Sequence, residues 1–410
     1  MNKRLLSSVL FGIALLAALP YLLSQGLLNA AIQMLIAALF ACAYNLLCGQ
    51  AGMLSFGHAA YFGMGAFGVA HAMNALDGAG LMPTPLLPLV GAASGLVFGL
   101  IAGRFATQRT GTYFSMITLA IAELVHALAP QLKGWFGGEA GTSTMRMPAW
   151  GFDFGSTTQV YYLTLAWVLL GVGALFFFTR TPMGKLTYGL RENSHRLRFL
   201  GYNVQGLSTL VFAISAMFSG LAGGLQALSN EAANYVVFDP SLSAAVVINS
   251  YIGGVKVFLG PAIGAAIMTF FGYAVSDLTQ SWLLYQGLLF VGVMMFMPTG
   301  MSGLIAATLR LRARVGTTRL LPLLLLGIAA TSLLGAGGVF GVELLQRLFS
   351  QDYRSLAAMQ AGAMPAVNIF GGSWLPGSPI TWAAVLVPML LGSGLTHLGL
   401  RRYQALKEHA

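Results

Sequence analysis

Residues 28–48, LNAAIQMLIAALFACAYNLLC, contain no Asp, Glu, Lys or Arg. A helix of about 20 apolar residues is what the roughly 30 Å hydrocarbon core of a bilayer requires, since each residue adds about 1.5 Å. The stretch reads as a membrane span. Similar runs occur at 5–24, 54–75, 86–106, 112–128, 160–178, 207–228 and 282–297. Between the last two, residues 241–277 are interrupted by Gly253-Gly254-Val255-Lys256 and by Gly260-Pro261, which predicts two short helices meeting at a turn. Beyond Met301, candidate spans at 320–334 and 380–398 flank a more polar stretch, 340–378, in which residues 342–349 have the pattern of an amphipathic helix.

Composition agrees. The 410 residues are 57% hydrophobic and 8% charged, and mean hydropathy is +0.77, outside the range of a water-soluble chain of this length. The 52 glycines suit helices that must approach closely inside lipid. The expected fold is an all-α integral membrane protein: a polytopic bundle of about ten core transmembrane helices, some short or broken, with a two-helix C-terminal extension. The domain reading is 1–305 for the core, with a cytoplasmic loop at 180–205, and 306–410 for the extension. The basic N-terminus before the first apolar run has the start of a secretory signal, but Leu19-Pro20-Tyr21 is a poor cleavage site, so a retained first helix is expected.

With the N-terminus inside, sixteen of the 21 basic residues fall in inside segments, among them Lys3, Arg104, Arg180, Arg310 and Arg401, which places both termini in the cytoplasm. The net charge of +10 is thereby spread over short loops, which excludes a nucleic-acid-binding surface. Cys42 and Cys48 lie in one apolar run and suggest buried thiols, without disulfide or metal. A phosphate-cradling G-x-x-x-x-G-K-[ST] pattern is absent and no inside loop is long enough for an ATPase. Gly63-Met64-Gly65-Ala66-Phe67-Gly68 matches G-x-G-x-x-G but lies inside a span with no preceding strand, so close helix packing is expected there in place of cofactor binding.

Ionisable groups inside spans cost roughly 2.5–3.5 kcal/mol each on insertion scales and are retained for reasons. Glu123 and His126 stand three residues apart on one helical face, and two readings stay open: a solute path, in which Glu123 holds an ammonium or a water, and an interhelical strut. Gln50, Ser55, His58 and Asn249 are further polar candidates for a path, with Asn45 and Ser250 beside them. The spans show no paired carboxylates or metal-ligand set, so no catalytic residue and no metal are assigned. An ion-coupled secondary transporter, using Glu123 and His126 as its proton site, is the competing class.

In 180–205, Leu186, Leu190, Leu197 and Leu200 form an apolar stripe on a short helix outside the membrane, with Lys185, Arg191, Glu192 and Arg196 elsewhere on its surface. The segment from Arg180 to Val204 resembles the cytoplasmic coupling loop of the branched-chain amino acid ABC importers, in the M-type permease subunit. Gly49-Gln50-Ala51-Gly52-Met53-Leu54-Ser55-Phe56-Gly57-His58-Ala59 resembles that family's Gly-Gln-Xaa-Ser-Xaa-Gly-His-Ala motif, and Gly111 to Glu123, Phe218 to Leu225 and Gly253 to Ala265 follow in the family's order. The resemblance covers about residues 1–305. It implies a permease that binds no cofactor itself, working with a homologous second permease, two cytoplasmic ATPase subunits that bind ATP, an extracytoplasmic solute-binding protein and the lipid bilayer of a bacterial inner membrane. Gly184, Lys185, Arg191, Glu192 and Arg196 would contact the ATPases. Branched-chain amino acids are the leading solute; related importers carry urea and short amides. Two features depart from the family: Gly138 to Met145 stands where a Thr-Gly-Gly pattern is usual, and the C-terminal extension is not covered.

Overall fold

The computed structural model describes residues 3–77, 80–276, 279, 281–297, 299–359 and 364–408. It divides into two compact units, Met1–Leu304 and Ile305–Ala410. The helices of the first are α1 (Lys3–Leu22), α2 (Gln25–Asn45), α3 (His58–Ala72), α4 (Pro88–Ala106), α5 (Thr112–Leu128), α6 (Lys133–Phe136), α7 (Thr157–Arg180), α8 (Pro182–Phe199), α9 (Val204–Asn230), α10 (Pro240–Gly253), α11 (Gly260–Ser276) and α12 (Trp282–Phe296). The helix α13 (Gly300–Val315) reaches the second unit, which holds α14 (Thr317–Phe349), α15 (Gln351–Met359) and α16 (Pro379–Glu408). Among the described residues the strands form two small antiparallel pairs, β1 (Thr142–Ser143) with β2 (Ala232–Ala233), and β3 (Val367–Ile369) with β4 (Gly372–Trp374).

This is an all-α polytopic membrane architecture. Among the described residues six helices are long and apolar enough to cross a bilayer, or seven if the α12–α13 pair, bent by 45°, is one span. The expected spans at 54–75 and 112–128 are shorter helices, α3 and α5, and the apolar part of α1 among the described residues is Leu10–Leu22. The run at 54–75 is the clearest case: residues 51–57 are not helical, and α3 begins only at His58. The two short helices expected within 241–277 are α10 and α11, the last residue of that run lying outside the described residues.

The first unit is built around α2, α3, α4 and α9, joined by glycines. A Cβ added at Gly220 would strike the Gly91 carbonyl oxygen and fall 2.8 Å from Gly95 Cα; one added at Gly65 would strike the Gly220 backbone. Backbones meet here because dispersion contact, not hydrophobic exclusion, holds helices together in lipid. Gly63 and Gly68 of the G-x-G-x-x-G stretch pack against Phe238 and Ser94, the close packing expected of that motif.

In the second unit α14 and α16 form an antiparallel hairpin. Gly337 backs onto Met389 and Val385, and Gly392 onto Leu334. The expected span 320–334 is part of a helix that continues to Phe349, so residues 342–349 are its last turns and not a separate amphipathic helix. No Pro or paired Gly-Pro interrupts the chain between Thr331 and Phe349, which is why the helix does not stop where the polarity rises. Phe340, Leu344, Val367, Ile369 and Val385 make a small buried core of the unit's own, with Trp374 against Phe340 at 4.9 Å.

Candidate functional site

The α2 helix ends in a π-helical turn, Leu46–Gln50, and the chain then runs without helix to His58. Four other helices tie this stretch down. Ser115 of α5 donates its hydroxyl to the Leu54 carbonyl, and Thr118 accepts the Phe56 N–H at 3.2 Å. The Ala59 N–H donates to Ser243 of α10 at 2.9 Å. His58 is fully buried, its Nδ1 3.0 Å from Ser55 Oγ and its Nε2 2.8 Å from Ser215 Oγ of α9. Ser215 itself donates to the Ala43 carbonyl at 2.6 Å, so it accepts from His58; a neutral imidazole carrying its proton on Nε2 satisfies every partner. His58 thus pins α2, α3 and α9 at one point.

The fourth tie comes from α8. Arg191 donates through Nη1 to the Gly49 carbonyl, and its Cα, Cβ and Cγ lie against Gly52, whose φ of +71° only glycine adopts without strain. Sequence reading placed Gln50, Ser55 and His58 in one set and Arg191 in another; the fold brings Arg191 onto Gly49 and Gly52, in the same stretch of chain. Leu190 and Ser194 of α8, with Ala51, Leu54 and Arg109, line a cavity of about 350 Å³ beside the same stretch.

The α8 helix is kinked at Asn193, whose side chain caps the Arg196 N–H at 3.0 Å and starts a second short segment. Leu197 is buried and Leu186 and Leu190 half-buried, as the apolar stripe predicts, but Leu200 is exposed because it follows the helix as its C-cap. Lys185, Glu192 and Arg196 are exposed. Gly184 is buried at the α7–α8 corner, where a Cβ would strike the Phe178 carbonyl oxygen.

Gln50 and Asn249 are buried, and their side-chain carbonyl oxygens have no hydrogen-bond partner among the described residues; the same holds for Asn45 and for the Ser250 hydroxyl. Glu123 lies apart from this group. It is exposed, on a face of α5 that also carries Met116, Leu119, Leu124 and Leu128, and no described residue hydrogen-bonds it. His126 is half-buried and turns toward Tyr235, 6.1 Å between ring centres. In the loop between α9 and α10, Asp239 accepts the Ser241 N–H at 2.7 Å; hydrogen bonding from Ser241, with the nearby His126, holds its carboxyl below the usual carboxylate range. On the same side Arg146 closes the end of α9, donating to the Leu228 and Ser229 carbonyls at 2.9 and 3.0 Å and lying 3.5 Å from Glu231.

Ser115, Thr118, Ser215 and Ser243, which hold the 51–59 stretch, went unnoticed in the sequence. A hydroxyl in an apolar helix usually bonds its own preceding turn, and nothing local distinguishes the ones that bond elsewhere.

The family model "Branched-chain amino acid transport system / permease component" matches residues 26–298. The chain belongs to that family. Its similarity to the high-affinity branched-chain amino acid transport system permease protein LivM of Salmonella typhimurium is 27% identity over 332 residues, 74% of this chain and 77% of that protein; the Escherichia coli K12 LivM aligns equally well. The xylose transport system permease protein XylH of Escherichia coli K12 is 32% identical over 135 residues, 31% of this chain and 33% of XylH. No solved structure matches. The permease is therefore a multi-pass transport protein, and the matched region contains the whole 46–59 break, α5 and α8.

Proposed function

We propose that this permease is the membrane subunit of an ATP-binding-cassette importer that moves branched-chain amino acids, or a similar small solute, inward across a bacterial inner membrane. The observation that carries the reading is the contact of α8 with the 46–59 break through Arg191, because it joins an exposed helix to the buried centre of the bundle. Two cytoplasmic ATPase subunits, which bind the ATP, would seat on α8 through the exposed Lys185, Glu192 and Arg196; of the other residues expected there, Gly184 is buried and would shape the α7–α8 corner, and Arg191 would carry the contact inward to Gly49. A homologous second permease and an extracytoplasmic binding protein complete the assembly. The LivM relatives support the solute class, and the shorter XylH match speaks for a transport scaffold used with other solutes.

The solute would pass along the face of α5 that carries Glu123, with the second permease on the far side, since a lipid-facing carboxylate costs roughly 2.5–3.5 kcal/mol. His126 stands one helical turn from Glu123, Gln50 and Asn249 would offer the solute buried unpaired amides deeper in the bundle, and Ser55 and His58 would hold the framework around them. The carboxylate suits the ammonium of an amino acid.

The test is uptake into vesicles containing the whole complex. Labelled leucine, isoleucine or valine is expected to accumulate only with ATP and the binding protein, and to be indifferent to a protonophore; accumulation driven by a proton gradient without the ATPases would point to a secondary transporter. Urea and short amides serve as competitors that define the solute. Glu192→Lys is expected to cut uptake by about tenfold or more with normal membrane levels, since reversing an interfacial charge costs of order 1.4 kcal/mol or more and no described residue of this chain bonds Glu192. Gly184 is a poorer probe, because any side chain there disrupts the α7–α8 corner.

Residues 1–305 would form the transport domain and 306–410 an accessory domain, with both termini cytoplasmic and the cap formed by α15, β3 and β4 outside. Ser355 is exposed on α15. A Ser355→Cys chain is expected to react with an impermeant thiol reagent added from outside, against little background from the buried Cys42 and Cys48. Reaction only from the cytoplasmic side would reverse the orientation.

A further inference from the structure

A π turn holds one extra residue in each hydrogen-bonded ring, so its return to α geometry rotates whatever follows by about 100°. The Leu46–Gln50 turn is closed at its end by bonds from Ala51 N–H to the Leu46 carbonyl at 3.3 Å and from Met53 N–H to the Leu47 carbonyl at 3.0 Å, with Gly52 in the left-handed region. The Gly49 carbonyl, at the negative end of α2, is bonded instead from another element, by Arg191 of α8. Gly49 also backs onto the Val255 carbonyl, and Cys48 Sγ lies 3.5 Å from Tyr251 Oη, so the turn abuts the break between α10 and α11. Around these two breaks Asn45, Gln50 and Asn249 are each more than nine-tenths buried with an unpartnered carbonyl oxygen.

We propose that the π turn is the element that α8 switches, and that Arg191 is its latch. The proposal rests on the ATP-driven reading above. Arg191 is a positioning residue: it acts on Gly49 and through it on Gln50, without touching solute. In the latched state the charged hydrogen bond to Gly49 opposes the strain of burying unpaired amides, two effects of similar size, which leaves the alternatives close in free energy as a switch requires. Movement of α8 by the ATPases withdraws the guanidinium, the turn relaxes toward α geometry, and the Gln50 amide and Cys48 leave their buried positions. A ligand-free displacement of α8 alone is enough, because the buried amides already bias the turn toward release.

Cys48 is the reporter. In a Cys42→Ala chain assembled with its ATPases, labelling of Cys48 by a membrane-permeant maleimide is expected to be slow without nucleotide and roughly tenfold faster after trapping with ATP and vanadate. Arg191→Met is expected to give the fast rate without nucleotide, and Arg191→Lys, which keeps a donor on a shorter reach, an intermediate one. Equal rates in both nucleotide states of a complex that performs ATP-driven uptake would overturn the latch and leave the transport reading standing. A wild-type rate in both Arg191 variants would remove Arg191 from the switch. A complex with no ATP-driven uptake would take away both readings together.

Discussion

Membranes containing the Gly220→Val chain are expected to hold roughly tenfold less folded permease than those containing the wild type, as measured by detergent-resistant thermal stability and immunoblot. Atoms facing Gly220 belong to the backbones of Gly91 and Gly95, which cannot turn aside as a flexible side chain can. The two helices α4 and α9 would have to separate to admit the isopropyl group, and overpacking of this kind costs about 1–3 kcal/mol or more. Gly220→Ala tests the same seam with a smaller group and should fall between. Wild-type abundance and thermal stability in the valine variant would mean that α4 and α9 are not in backbone contact.

The second large effect is expected at Glu123. Glu123→Gln keeps the shape and part of the hydrogen bonding while removing the charge, and it should lower uptake about 10- to 100-fold at unchanged membrane levels, the equivalent of one charge-assisted bond of about 1.5–3 kcal/mol. The side chain has no partner among the described residues, so its removal leaves nothing unsatisfied inside the chain. Loss of assembly with the second permease would make Glu123 an intersubunit contact, and full uptake with full assembly would exclude it from both roles.

Membrane character, the long helices and the α10–α11 break were legible because each depends on local facts: an apolar run long enough for the bilayer, and, at the break, a Gly-Gly and a Gly-Pro close together on either side of the charged Lys256. The α2–α3 break was legible only in part: the spans read at 28–48 and 54–75 leave a gap at 49–53, whereas the non-helical stretch runs on to Gly57. Residues 51–57 are nearly as apolar as a helix, and their backbone groups and those of the first turn of α3 are bonded instead by side chains 60 or more positions downstream: Ser115 donates to Leu54, and Thr118 and Ser243 accept from Phe56 and Ala59. Of the candidate residues, the sequence identified Gln50, His58 and Arg191 by type and motif, but whether a polar side chain is a strut or stands unpaired depends on partners that no spacing rule supplies. His58 and Gln50 show the difference: eight positions apart, one has both ring nitrogens bonded and the other a bare carbonyl oxygen. The exposure of Glu123 was likewise hidden, since a helical wheel shows which residues share a face but not which face is covered.

The second unit has a core drawn from its own sequence: Phe340, Leu344 and Val385 meet Val367, Ile369 and Trp374. A segment that carries its own core can be gained or lost as one piece, with its internal packing intact. Its descent is then separable from that of the bundle, and the two parts of the chain are free to diverge at different rates.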